Sequence, residues 1–131
     1  MKIAFDVHGV IADKPRLFKP FLKLLKSNGI EVYIISGPSK VEVEAELKKI
    51  GYTSKHFDTI LSVVDYLKSK DVPMVLKSDG YWTSDYNWWS SKGKMCKEYN
   101  VDVLFDNSIE YEEFMPSNTL FFLFSDKKKK K

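Results

Sequence analysis

Three apolar runs of this chain each end in a side chain that carries oxygen. Ile3-Ala4-Phe5 ends in Asp6, Val32-Tyr33-Ile34-Ile35 in Ser36, and Val103-Leu104-Phe105 in Asp106. If the runs are parallel neighbours in one sheet, two carboxylates and a hydroxyl share its carboxyl edge. Two close carboxylates repel, and one takes up a proton unless a cation sits between them. A hard divalent cation with oxygen ligands, Mg²⁺ above all, resolves that repulsion and can bridge to a phosphate. Ser36-Gly37 opens into a helix start at Ser39, whose free N–H groups favour an anion. Lys92, placed at the start of a later helix, could add a fixed positive charge to the same pocket. Anion cradle, cation bridge and carboxylate together suit phosphoryl transfer. In that chemistry a carboxylate attacks phosphorus, and water then hydrolyses the aspartyl-phosphate.

Each feature has a plainer reading when taken alone. Asp6 with Gly9 is a turn at a strand end, and Ser36-Gly37-Pro38-Ser39 is a helix entry. Asp106-Asn107-Ser108 is an N-cap, and Lys92 is one of 21 basic residues, most of which must lie on the surface. What separates the four is their coincidence, in order, each at the end of an expected element.

Those elements alternate between short apolar runs and helical patterns, the signature of an α/β sheet. Strands are expected at 2–5, 30–35, 57–61, 72–76, 101–105 and 119–124. Leu17, Phe18, Phe21, Leu22 and Leu25 have helical spacing up to Asn28-Gly29, with Pro20 obscuring where that helix begins. Ser39-Lys40-Val41-Glu42 reads as a capping box ahead of Val43, Leu47 and Ile50. Further helices are expected over 62–70 and 91–99, and a short acidic one after Ser108. The runs 30–35 and 120–124 are apolar on both faces, which suits interior strands of a parallel sheet. Ligands of such sheets bind beyond the carboxyl ends of the strands. The segment 77–91 fits no period. It crowds Tyr81, Trp82, Tyr86, Trp88 and Trp89 among small polar residues, as a satellite core or as a stacking surface for a nucleobase.

Composition agrees with a single folded globular domain. At 131 residues, with 44% hydrophobic and 15% aromatic content, the chain can bury a core and is not of disordered type. A single domain is expected over 1–125, followed by a lysine-rich disordered tail over 126–131. Lys127–Lys131 account for more than the whole net charge of +3; the rest of the chain carries 16 basic against 18 acidic residues. The body is therefore not basic; the tail, most simply a solvated run, could add affinity for nucleic acid or acidic surfaces. No run reaches the roughly 18 apolar residues of a membrane span, and the start does not read as a signal peptide. The single Cys96 has no disulfide partner, so a reducing cytoplasmic setting is expected.

Asp6-Val7-His8-Gly9-Val10-Ile11-Ala12-Asp13 resembles the first motif of haloacid-dehalogenase-superfamily phosphatases, usually D-x-D-G-[VT]-[IL]. Ile34-Ile35-Ser36-Gly37 resembles the second motif, Ser91-Lys92-Gly93-Lys94 the third, and Val103-Leu104-Phe105-Asp106-Asn107-Ser108 the acidic fourth. The resemblance covers nearly the whole chain in the family's order. It implies a three-layer α/β/α Rossmann-like fold with a mainly parallel sheet, its strands ordered fifth, fourth, first, second, third. It implies Asp6 as nucleophile and Mg²⁺ ligand, the His8 backbone carbonyl and Asp106 as further metal ligands, and Ser36 and Gly37 as phosphate-binding groups. Lys92 would neutralise charge, with Lys77 and Lys94 as alternatives. The spacing between motifs leaves no room for a large cap domain, so an open site is expected, taking a phosphorylated small molecule, a nucleotide or a nucleic-acid end.

Two positions depart from the family pattern. His8 stands where its phosphatases place an acid/base Asp, and Asn107 where a second acid is common. An imidazole, with an unperturbed pKa near 6.5, can move protons at neutral pH. His8 is therefore the expected acid/base catalyst, and the competing expectation is a degenerate relative that binds phosphorylated ligands without efficient turnover. Asp13 is a candidate assistant or a local cap, and His56 reads as structural. A phospho-accepting receiver domain shares the Asp, Ser, Lys and Mg²⁺ set but not this order along the chain.

Overall fold

The computed structural model describes residues 1–125. The lysine tail expected to be disordered lies outside the described residues.

Five strands, β1 (Lys2–Phe5), β2 (Glu31–Ser36), β3 (Thr59–Ser62), β6 (Val103–Asp106) and β7 (Leu120–Leu123), form one parallel sheet in the order β3-β2-β1-β6-β7. Counting only these five, that is the order anticipated. Helices cover both faces, and the period-2 alternation of the strands assigns residues to them. Ile3, Phe5, Val32 and Ile34 pack with Phe18 and Leu22 of α1 (Pro15–Ser27) and Val43 and Leu47 of α2 (Lys40–Ile50). Ala4, Tyr33, Ile35 and Leu104 face the other way, against Val63 and Leu67 of α3 (Val63–Ser69) and Met95 and Cys96 of α4 (Asp85–Tyr99). The result is a three-layer, Rossmann-like α/β arrangement.

Helix boundaries follow their caps. Pro15 sits in the first turn of α1, where its missing N–H costs nothing, and the helix runs on through Pro20. Ser39 Oγ accepts the Glu42 N–H, so half of the expected capping box forms, and α2 ends at Gly51 with φ of 97°.

Four expectations need correction. Residues 72–76 do not enter the main sheet; β4 (Val75–Lys77) pairs antiparallel with β5 (Gly80–Trp82) in a separate hairpin. The helix expected at 91 begins at Asp85, capped by Ser84 Oγ on the Asn87 N–H. Its buried residues begin with the consecutive run Ser90, Ser91, Lys92 and Gly93, polar or small on every side, so no apolar period announces its start. Lys92 consequently lies in the middle of α4, not at its start. Lastly, β7 is an edge strand whose Leu120, Phe122 and Leu123 are exposed.

Candidate active site

Parallel pairing of β1 with β6 aligns Phe5 with Phe105, so the next residues, Asp6 and Asp106, leave adjacent strands at the same level. The ladder runs one step further, with the Asp6 N–H donating to the Phe105 carbonyl at 2.9 Å. Lys92 reaches both carboxylates from α4. Its Nζ lies 2.6 Å from Asp106 Oδ2 and 3.3 Å from Asp6 Oδ1. The three groups are almost wholly buried, with Lys92 2% and Asp106 0% exposed. Lys77 and Lys94 are elsewhere, stacked on Trp82 and Tyr86 respectively. The cationic partner is therefore Lys92.

Burial pushes the Asp6 carboxyl above its ordinary range, and Asp106 adds to the rise, while Lys92 opposes both. Burial also works against the Lys92 ammonium, but Asp6 and Asp106 outweigh it and hold that group well above the usual lysine value. With both carboxyls ionised against one ammonium, the buried triad carries one negative charge in excess. Such a site favours a further cation or bound proton.

Ser36 ends β2, on the other side of β1. Its Oγ is buried without a hydrogen-bond partner, a condition that costs about 1–3 kcal/mol and invites a ligand acceptor. Ser90 Oγ shares that condition but does not line the cavity. A cavity of about 560 Å³ opens over Asp6, Ser36, Gly37 and Lys92, with His8 and Asn107 on its wall. Asp106 lies beneath, Oδ1 accepting the Ser108 N–H at 3.0 Å. Gly37 admits the Trp88 ring; a Cβ at that position would stand 3.1 Å from it.

The loop after β1 is shaped by Gly9, at φ of 82°, where a Cβ would collide with the Asn107 amide. Asp13 Oδ1 accepts the Gly9 N–H at 3.2 Å, so this carboxylate braces the loop. His8 is exposed and directed at α2, its Nε2 2.6 Å from Glu46 Oε2. His56 bears out its structural reading: it is buried, and its Nδ1 accepts the Thr53 N–H at 2.9 Å.

Sequence reading missed Glu46, Tyr111 and the position of Trp88 and Trp89. Tyr111 holds its ring 4.6 Å from Lys92 Nζ and packs edge-on against Trp89. Burial pushes its hydroxyl up to about 12, so it stays protonated beside the triad. The acidic run around Tyr111 drew attention to charge and hid the one buried ring. Within the aromatic segment, Trp88 packs on the core, and Trp88 and Trp89 also line the cavity.

Could this donor set hold Mg²⁺? Among the described residues no group of three or more His, Cys, Asp or Glu side chains gathers as a metal cage. Mg²⁺ does not require one, since one or two carboxylates plus substrate phosphate and water suffice. The excess negative charge on Asp6 and Asp106 and the orphaned Ser36 hydroxyl fit an ion–phosphate pair.

No protein-family profile matches the chain, and no curated protein matches it either. Among the described residues, no helix is long and apolar enough to cross a membrane.

Proposed function

We propose that this protein is a Mg²⁺-dependent phosphomonoester hydrolase of the haloacid-dehalogenase type, without a large cap, working through an aspartyl-phosphate at Asp6. The observation that carries the proposal is the Lys92 ammonium clamped between Asp6 and Asp106 beside an unpartnered Ser36 hydroxyl. Asp6, Asp106 and the His8 backbone carbonyl would hold the ion, which when bound supplies charge neutralisation for the phosphoryl group. Ser36 Oγ and the Gly37 N–H bind phosphate oxygens, and Lys92 offsets the charge that remains. An Asp6 oxygen attacks phosphorus as the ester bond breaks, and His8 gives a proton to the leaving oxygen. His8 then takes a proton from water, which attacks the same phosphorus and releases inorganic phosphate and free Asp6. Glu46 orients the imidazole for both transfers. Acid/base help of this kind is worth about 10²- to 10⁴-fold.

The test is release of phosphate from an aryl phosphate with Mg²⁺, beside an Asp6→Asn control. Release that needs both Mg²⁺ and Asp6 upholds the proposal, and none from the intact protein sinks it. A second reading, a phosphate-binding protein without efficient turnover, is favoured by one contact: His8 Nε2 already points at Glu46. His8→Asp separates the two, since a large gain in turnover would mark the natural protein as degenerate and a loss would mark His8 as catalyst.

A further inference from the structure

Next to the carboxylate cavity lies a second one of about 450 Å³, between the β4–β5 hairpin and the starts of α2 and α4. The two share Gly37, Pro38, Trp88 and Trp89, so a molecule with its phosphate at Ser36 would extend directly into the second. Its volume suits a small organic ligand. Pro38, Val64, Tyr81, Trp82, Trp88 and Trp89 provide apolar walls, and Asp79 Oδ1 fixes the Trp82 indole by accepting its N–H at 2.8 Å. The charged groups on the wall are all carboxylates: Glu42, Asp79 and Asp85.

Aromatic rings beside carboxylates suit either a cation or a flat group with N–H donors. Two of the four rings weigh against a cation. Lys68 Nζ stands 4.0 Å from the Tyr81 ring centre and Lys77 Nζ 5.2 Å from that of Trp82, and neither lysine lines the cavity. The attraction of those two π-systems for positive charge is thus already engaged by the fold, and a second cation beside them would meet like charge. A neutral planar group stacks without that penalty.

Resting on the phosphatase reading above, we infer that this cleft takes the base of a purine nucleoside monophosphate, guanine in preference to the others. A carboxylate only accepts hydrogen bonds. Guanine offers it two adjacent donors, N1–H and the N2 amino group. Adenine sets its amino group beside an acceptor nitrogen, and uracil sets one N–H between two carbonyls that repel an acid.

Calorimetric titration of the full chain with guanosine, uridine, guanosine 5′-monophosphate and phosphocholine tests this, because free nucleosides report the cleft without turnover. Guanosine should bind at least about tenfold tighter than uridine. Stacking is worth about 1–3 kcal/mol per base, so Trp82→Ala should weaken guanosine binding about 5- to 150-fold. Trp82→Phe, which keeps a ring, should recover much of it. Tyr86→Ala, an exposed ring lining neither cavity, should leave guanosine affinity unchanged. Equal affinity for guanosine and uridine, or phosphocholine binding tighter than guanosine 5′-monophosphate, would overturn the inference. Guanosine binding without any phosphate release would uphold the cleft and sink the hydrolase. Phosphate release from aryl esters with no nucleoside binding would do the reverse.

Discussion

Replacing Lys92 by Met leaves two buried carboxylates facing each other with nothing between them. At an effective dielectric of about 20, Coulomb's law gives about 5 kcal/mol for the 3.3 Å contact with Asp6 and about 6 for the 2.6 Å contact with Asp106. Most of that offsets the desolvation of the charges, and removing one partner of a buried ion pair costs about 3–5 kcal/mol net. For a chain of this size the loss corresponds to a fall in Tm of about 10–20 °C near pH 8. Its pH dependence follows from Asp6, already raised by burial and by Asp106 and opposed only by Lys92. Without Lys92 the rise is larger. A carboxyl raised in the folded state gives most stability below its unfolded value near 3.9, and that stability drains away as pH climbs through the folded value. The deficit of Lys92→Met should therefore shrink as the pH is lowered from 8 toward 5. Millimolar Mg²⁺ should recover part of it at pH 8 by taking over the missing charge. Thermal unfolding followed by circular dichroism at both pH values, with and without Mg²⁺, measures all of this. A variant as stable as the natural protein at pH 8 would refute the claim that Lys92 holds these charges together.

Ser36→Ala removes a buried hydroxyl that has no partner, so its Tm should stay level or rise slightly, while KM for an aryl phosphate should climb about tenfold. A marked loss of stability would show that Ser36 has a structural bond. Gly9→Ala forces a side chain into a left-handed position against Asn107, and urea unfolding should register a loss of about 1–3 kcal/mol. If Glu46, 2.6 Å from His8 Nε2, orients the imidazole as proposed, Glu46→Gln should lower kcat about tenfold or more with little change in KM or Tm; an unchanged kcat would remove Glu46 from the account.

The sheet was legible because each of its site-bearing strands is an apolar run closed by a polar residue. Register then does the rest: pairing Phe5 with Phe105 is enough to bring Asp6 and Asp106 side by side. Helix α4 was not legible over its first half, since the buried run Ser90, Ser91, Lys92 and Gly93 carries no hydrophobic period. Gly93 is small because the Phe114 carbonyl lies against it, a constraint from a distant segment. The strand β7 reads as interior by composition, yet composition cannot say which strand finds no neighbour. Glu46 was invisible for a related reason. Only the packing of α2 beside the loop after β1 brings it to His8, 38 residues away.

Everything turns on whether the Asp6 carboxylate accepts the phosphoryl group. Mixing the protein with Mg²⁺ and an aryl phosphate, then quenching with borohydride, reduces an acyl phosphate to the alcohol, which peptide mass spectrometry locates. Homoserine at position 6, formed only with substrate and Mg²⁺, is the result expected. Phosphate released while residue 6 remains aspartate at every time point would contradict the account.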